Sequence, residues 1–144
     1  MLVRIDLTAS SDLSSKVPPA ASGRAEGPSP TLEGLHLLDF HEPSVVNIDL
    51  GVTRGDGIFK TLGVVDGAGQ ALHAHLSRLH RSARMLDLPV LDLSVIETGI
   101  RLAIQEHDPL KDLSVKVIVT RGAEGTGKPT AWANAFPGPD YSEQ

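Results

Sequence analysis

The sequence predicts an α+β fold, an antiparallel sheet with two helices, and three observations carry that prediction. Strand-like segments open the chain, two segments of helical period follow one another in its middle, and strand-like segments close it. Because the two helical segments are consecutive, the strand–helix–strand alternation of a doubly wound parallel sheet is missing. Asp66-Gly67 sits between apolar runs as a hairpin signal, and hairpins join antiparallel neighbours.

Each element has its own justification. Val3, Ile5 and Leu7 alternate with Leu2, Arg4 and Asp6, the pattern of a short strand. From Thr8 to Thr31 the chain is rich in Ser, Pro, Ala and Gly, with Pro18, Pro19, Pro28 and Pro30 and almost no large apolar side chain. Such a stretch cannot bury enough surface to offset ordering entropy. Residues 1–34 are therefore expected to be a strand plus a flexible insertion, and residues 35–144 the domain. Leu35 to Phe40 is a second short strand. Gly57 to Val65 is a third, closed by the Asp66-Gly67 turn, with Gln70 to Ala74 as its expected hairpin partner.

From His75 the period changes. Leu76, Leu79, Ala83 and Leu86 fall on a helical stripe, and Ser77, Arg78, Arg81 and Arg84 occupy the remaining surface until Pro89 ends the helix. Asp92 is the expected N-cap of a second helix that buries Val95, Ile96, Ile100, Ala103 and Ile104 and stops before Pro109. Leu113 to Thr120 alternates, with Val115, Val117 and Val119 on one face and Lys116, Ile118 and Thr120 on the other. Thr130 to Phe136 is the last strand.

Composition narrows the function. A chain of 144 residues with 40% hydrophobic and 22% charged residues builds one ordinary globular core. Thirteen Lys and Arg against 18 Asp and Glu give a net charge of -5, which disfavours a nucleic-acid partner. No apolar run approaches the roughly 20 residues that span a bilayer, so no membrane partner is expected. Met1 to Leu7 lacks a signal-peptide apolar region, and a cytoplasmic location follows as the expectation. With no cysteine there is neither a disulfide nor a thiolate metal site.

Among stretches that carry chemistry, Arg121 to Thr130 is glycine-rich and follows a strand. Gly122, Gly127 and Lys128 fit a phosphate-binding G-x-x-x-x-G-K. Pro129 stands where the magnesium-ligating Ser or Thr belongs, and a strand rather than a helix comes next. A hairpin turn or a substrate-gripping loop therefore fits better. His73, His75 and His80 cluster without the i, i+4 spacing of metal ligands, so no metal is expected. No Gly-x-Ser-x-Gly elbow marks a nucleophile, and no catalytic residue is assigned.

Arg81 and Arg84 read as solubilising residues. Arg78 lies about one turn inside the expected helix start, where a guanidinium beside free backbone N–H groups suits a phosphate dianion. Lys60 shares a strand face with Ile58, Leu62 and Val64, opposite Phe59, Thr61 and Val65. It either snorkels at the sheet edge or faces a cavity, where it meets an anion or serves as a nucleophile.

Taken together, several of these stretches resemble one family. Asp49-Leu50-Gly51-Val52-Thr53-Arg54-Gly55-Asp56-Gly57-Ile58-Phe59-Lys60-Thr61, then Val64-Val65-Asp66-Gly67, resembles the opening of class IV pyridoxal-phosphate enzymes. These are the branched-chain and D-amino-acid aminotransferases and aminodeoxychorismate lyase. His75-Leu76-Ser77-Arg78-Leu79, with Ser82-Ala83 and Leu86, is similar to the family's H-x-x-R-L helix. Val117 to Gly127 is similar to its next strand and loop, most like the lyase branch, and the likeness runs from about Asp49 to Tyr141.

The resemblance implies the small N-terminal domain of a D-amino-acid-aminotransferase-like enzyme, which covers one side of pyridoxal 5'-phosphate. It implies that Arg78 binds the cofactor phosphate, and that Lys60, Arg121, Gly125, Thr126 and Gly127 border the substrate. It also implies a homodimer and a small-molecule substrate. The family's Schiff-base lysine lies in a larger C-terminal domain downstream of Phe136-Pro137, whereas this chain stops at Gln144. The chain is accordingly expected to be a truncated part, inactive alone and awaiting its C-terminal domain as partner.

Lys60 stands where many relatives carry glutamate, which turns the reading away from branched-chain substrates. The implied activity is the release of 4-aminobenzoate and pyruvate from aminodeoxychorismate, a step of folate biosynthesis. The alternatives are an amino-acid aminotransferase of the same family, or an inactive fragment acting only as an interaction module.

Overall fold

The computed structural model describes residues 1–7 and 34–139. The elements in chain order are β1 (Leu2–Ile5), β2 (Leu35–Leu38), α1 (Leu50–Arg54), β3 (Gly57–Val65), β4 (Ala68–Gly69), α2 (Leu72–Met85), α3 (Leu93–Glu106), β5 (Asp112–Thr120) and β6 (Thr130–Pro137). The six strands form one antiparallel sheet in the order β2-β1-β6-β5-β3-β4. The predicted α+β class and antiparallel sheet are thus observed, with a third, five-residue helix besides the two expected.

The sheet has one covered face and one open face, as strand alternation requires. Ile58, Lys60, Leu62 and Val64 of β3 lie opposite Val119, Val117, Val115 and Leu113 of β5, and these in turn lie opposite Ala131, Ala133 and Ala135 of β6 and Pro137. Helices α2 and α3 pack on this side, α2 over β3 and α3 over β1 and β6. The small alanines of β6 and Gly99 of α3 let that helix lie close. A β-carbon at Gly99 would stand 2.6 Å from Ile5 Cδ1. Leu79, Val95, Ile96 and Ile100 fill the space between helices and sheet, each 1% exposed or less.

The second helix begins as expected, with Asp92 Oδ1 accepting from the N–H groups of Ser94 and Val95 at 3.1 and 3.3 Å. Ile104 is half-buried rather than buried.

Three further expectations are corrected. Gln70 to Ala74 is not a strand. β4 is only Ala68–Gly69, Ala71 takes a left-handed conformation (φ 51°), and α2 starts at Leu72. Leu72 extends the buried stripe of Leu76, Leu79 and Ala83 back by one turn, and burying it outweighs lengthening a two-stranded ribbon. Leu86 lies past the last helical residue and is 44% exposed. The strand at Leu35 ends at Leu38, leaving Phe40 outside the sheet and exposed.

The reading of Thr8 to Thr31 as a flexible insertion falls outside the described residues, as does Tyr141. Among the described residues no helix is long and apolar enough to cross a membrane.

Candidate functional site

α2 sets the geometry. It starts beside Leu62, since Gly69 lies against both Leu62 and Leu72, and it ends where Leu86 meets Arg121 beside Asp56. The helix therefore runs back along β3, antiparallel to it. Lys60 is half-buried on the face of β3 that α2 covers, between Ile58 and Leu62 and across from the buried Val117.

His75 and Arg78 lie on α2, His75 half-buried and Arg78 exposed. Burial lowers the pKa of His75 from its ordinary value, and the positive charges of Arg78 and then Lys60 lower it further. The charges of Lys60 and Arg78 thus both act on His75. Neither Lys60 nor Arg78 has an ion-pair partner among the described residues.

Arg78 is placed differently from its sequence-based position. α2 begins three residues earlier than His75, so Arg78 lies about 9 Å from the helix start. Its Nε donates to Ala74 O at 3.3 Å and its side chain is exposed. The guanidinium does not reach past its own helix terminus.

Arg121 belongs to a second cluster, at the other end of α2, about 12 Å of helix beyond Arg78. Its Nε donates to Asp56 Oδ2 at 2.6 Å, and its two terminal nitrogens donate to Asp87 O at 3.0 Å and Leu86 O at 2.7 Å. The carboxylate it pairs is therefore the chain's own Asp56. The hydrogen bond from Arg121 holds the Asp56 carboxyl below its ordinary range against a weaker opposing effect of burial, and the charges of Arg121 and Arg54 add to it. Asp56 raises the Arg121 pKa in return.

Because Asp56 titrates lower in the folded chain than in the unfolded one, the pair's stabilisation is complete above about pH 4. It is lost as the pH falls through the folded value. Urea midpoints are expected to drop more between about pH 5 and pH 3 in the native protein than in Asp56→Asn. Equal slopes would discount the pair.

The glycine-rich loop is the connection of a hairpin, since Thr120 pairs with Thr130 at its root. No helix follows it, so the phosphate-loop pattern of Gly122, Gly127 and Lys128 has no structural counterpart. Gly125 and Gly127 take φ of 81° and 65° and are exposed. The Thr126 hydroxyl donates to Ala123 O at 2.8 Å and accepts from Lys128 N at 3.2 Å, so its polarity serves the loop itself. Leu50 N donates to Gly122 O at 2.9 Å and Glu124 N to Ile48 O at 3.0 Å, which ties the loop to the start of α1.

The open face holds what sequence reasoning missed. Phe59 is 61% exposed, and the Lys116 ammonium lies 5.4 Å from its ring centroid. With Ile118, Thr120 and glycines 51, 55 and 57 they line a concavity of about 200 Å³. The signal was present in the alternation: Phe59 and Thr61 point away from Ile58, Leu62 and Val64, and Lys116 and Ile118 away from the core valines. Among the described residues no group of three or more His, Asp or Glu converges as a metal would need.

Residues 57–142 match the family model for class IV amino-transferases. Over 111 residues the chain is 38% identical to a bifunctional aminodeoxychorismate lyase / D-amino acid transaminase of Mycobacterium tuberculosis, which covers 76% of this chain and 38% of that protein. The structure is similar to a fold IV-transaminase from Curtobacterium pusillum, with a TM-score of 0.79 and 34% identity over 99% of this chain and 44% of that one. It is also similar to the PLP-bound form of a hypothetical aminotransferase from Mycobacterium tuberculosis, with a TM-score of 0.70 and 37% identity over 74% of this chain and 38% of that one. The chain spans less than half the length of each of these relatives.

Proposed function

The chain belongs to the class IV aminotransferase family, and from that premise we propose that it is the phosphate-gripping part of a pyridoxal-phosphate enzyme of the aminodeoxychorismate-lyase kind. The observation that carries the reading is a set of three basic residues, Lys60 on the face of β3 that α2 covers and His75 and Arg78 on α2, in which neither Lys60 nor Arg78 has an ion-pair partner among the described residues. A donor set of this charge fits a phosphate dianion, the one strongly anionic part of pyridoxal phosphate. The relative's printed name supports the lyase reading, and so does the strand and loop from Val117 to Gly127.

When bound, the cofactor supplies an electron sink for charge developing at the substrate's α-carbon. The chain's own residues do the positioning. Arg78 holds the phosphate with a planar donor fork. Phe59 and Ile118 offer an apolar wall to a substrate ring, and the Lys116 ammonium beside them offers a charge to a substrate carboxylate. Arg121 fixes the end of α2 against Asp56 and so steadies the strand end from which the glycine loop departs. By itself the 144-residue chain is not proposed to turn over substrate.

The same relative's name also carries D-amino acid transaminase, which keeps transamination as the second reading. Given aminodeoxychorismate, the complete enzyme is expected to release 4-aminobenzoate. Transfer of an amino group between amino and oxo acids without that release selects the second reading, and neither reaction leaves the chain as an interaction module. Arg78→Ala is expected to weaken pyridoxal-phosphate affinity by roughly 2 kcal/mol, about thirtyfold. Cofactor titration by absorbance checks it, and an unchanged curve removes Arg78 from the site.

A further inference from the structure

A larger concavity, of about 500 Å³, opens where the hairpin of β3 and β4, the start of α2 and the last two turns of α3 meet. Its volume lies in the range of small-molecule sites. It shares no lining residue with the concavity beside Phe59, and neither Arg78 nor Arg121 borders it. Gly69, Ala71 and Ala74 bring no side chain beyond a β-carbon to its wall, so the room is not filled from within. Leu72, 9% exposed, and the half-buried Ile104 give it an apolar lining.

The polar side chains at this apolar lining are His73 and Arg101, and no Asp or Glu borders it. Arg101 is held from its own helix. Its Nε and Nη2 donate to one oxygen, Glu97 Oε1, at 3.1 and 2.7 Å. That pair, one helical turn apart, fixes the plane of the guanidinium and leaves Nη1 without a hydrogen bond among the described residues. A planar donor held at an apolar recess matches a carboxylate carried on an apolar body. We infer that this concavity is a ligand site of its own, which takes a small monocarboxylate with an aromatic or branched aliphatic body. The carboxylate meets Arg101 Nη1, and the body covers Leu72 and Ile104. Glu97 orients Arg101 but repels the incoming charge, so the site binds weakly and the two residues act on affinity with opposite sign.

The test titrates the protein with benzoate and reads the ring-proton resonances of His73. Benzoate is expected to shift them saturably, with a Kd of about 1 mM. Benzamide keeps the shape without the charge, and acetate keeps the charge without the ring. Each is expected to bind at least about tenfold more weakly. Arg101 is 56% exposed, so its replacement leaves the fold in place. Arg101→Gln is expected to weaken benzoate about tenfold, and Glu97→Gln to tighten it about threefold. Arg78→Ala is expected to bind benzoate as the native protein does.

Benzamide or acetate binding as tightly as benzoate overturns the match of charge and apolar body. If Arg101→Gln leaves benzoate binding unchanged, or Arg78→Ala abolishes it, benzoate sits elsewhere and the assignment falls. Equal losses in Arg101→Gln and Glu97→Gln make the pair a purely structural one and overturn the contact with Nη1. His73 resonances that stay unmoved at about 50 mM benzoate overturn the site itself.

Discussion

Gly122→Ala is expected to cost roughly 3 kcal/mol of folding stability, far more than alanine at the neighbouring loop glycines. Gly122 is buried with φ of 91°, a conformation that alanine adopts only under strain. A β-carbon there would also lie 1.7 Å from the carbonyl oxygen of Lys128, an atom of the main chain that cannot swing aside. The loop would have to open at its root. With it would go the bonds from Gly122 N to Thr120 Oγ1 and from Leu50 N to Gly122 O. Gly125 has φ of 81° but nothing within 4 Å, so Gly125→Ala carries only the conformational cost, roughly 1 kcal/mol. Urea denaturation of the two variants separates clash from backbone preference. Equal losses would remove the Lys128 contact as a cause.

Leu79→Ala is expected to cost a similar amount, about 3 kcal/mol, through the cavity it leaves. Leu79 is 1% exposed on the stripe of α2 that faces β3, with Leu76 and Ala83 on the turns either side. It is also the neighbour of Arg78, so the substitution loosens the element that carries both Arg78 and His75. Met85, on the same helix but 80% exposed, is the control, and Met85→Ala is expected to stay within about 0.5 kcal/mol of native. Thermal unfolding of both variants is the measurement. A Leu79→Ala loss no larger than that of Met85→Ala would mean that α2 is not held by this stripe.

Periodicity made most of the architecture legible, because burial on one side imposes it residue by residue. Leu76, Leu79 and Ala83 at helical spacing and the alternating valines of β5 read correctly from the chain. The stretch from Gln70 to Ala74 did not. The helix starts there after a left-handed turn at Ala71, which no periodicity announces. Helix α1 escaped notice because five residues show no period, although Asp49 and Gly55 are ordinary start and stop residues for it.

For the site, the charge at Lys60 and the arginine at position 78 were visible one at a time. That the helix carrying Arg78 packs on the strand carrying Lys60 was not, because that packing is tertiary. The partner of Arg121 was equally hidden, since Asp56 lies 65 residues earlier in the chain.

The strand order has a consequence for how the chain reaches its native state. β1 lies between β2 and β6, and the amino group of Met1 donates to Ala135 O at 2.9 Å. During synthesis β1 can pair with β2 early, but its second neighbour does not exist until residues 130–137 leave the ribosome. Closure of the sheet is therefore a late, non-local event with a large loop-closure entropy. Until then the inner edge of β1 stands open, a surface for chaperones to shield or for aggregation to exploit.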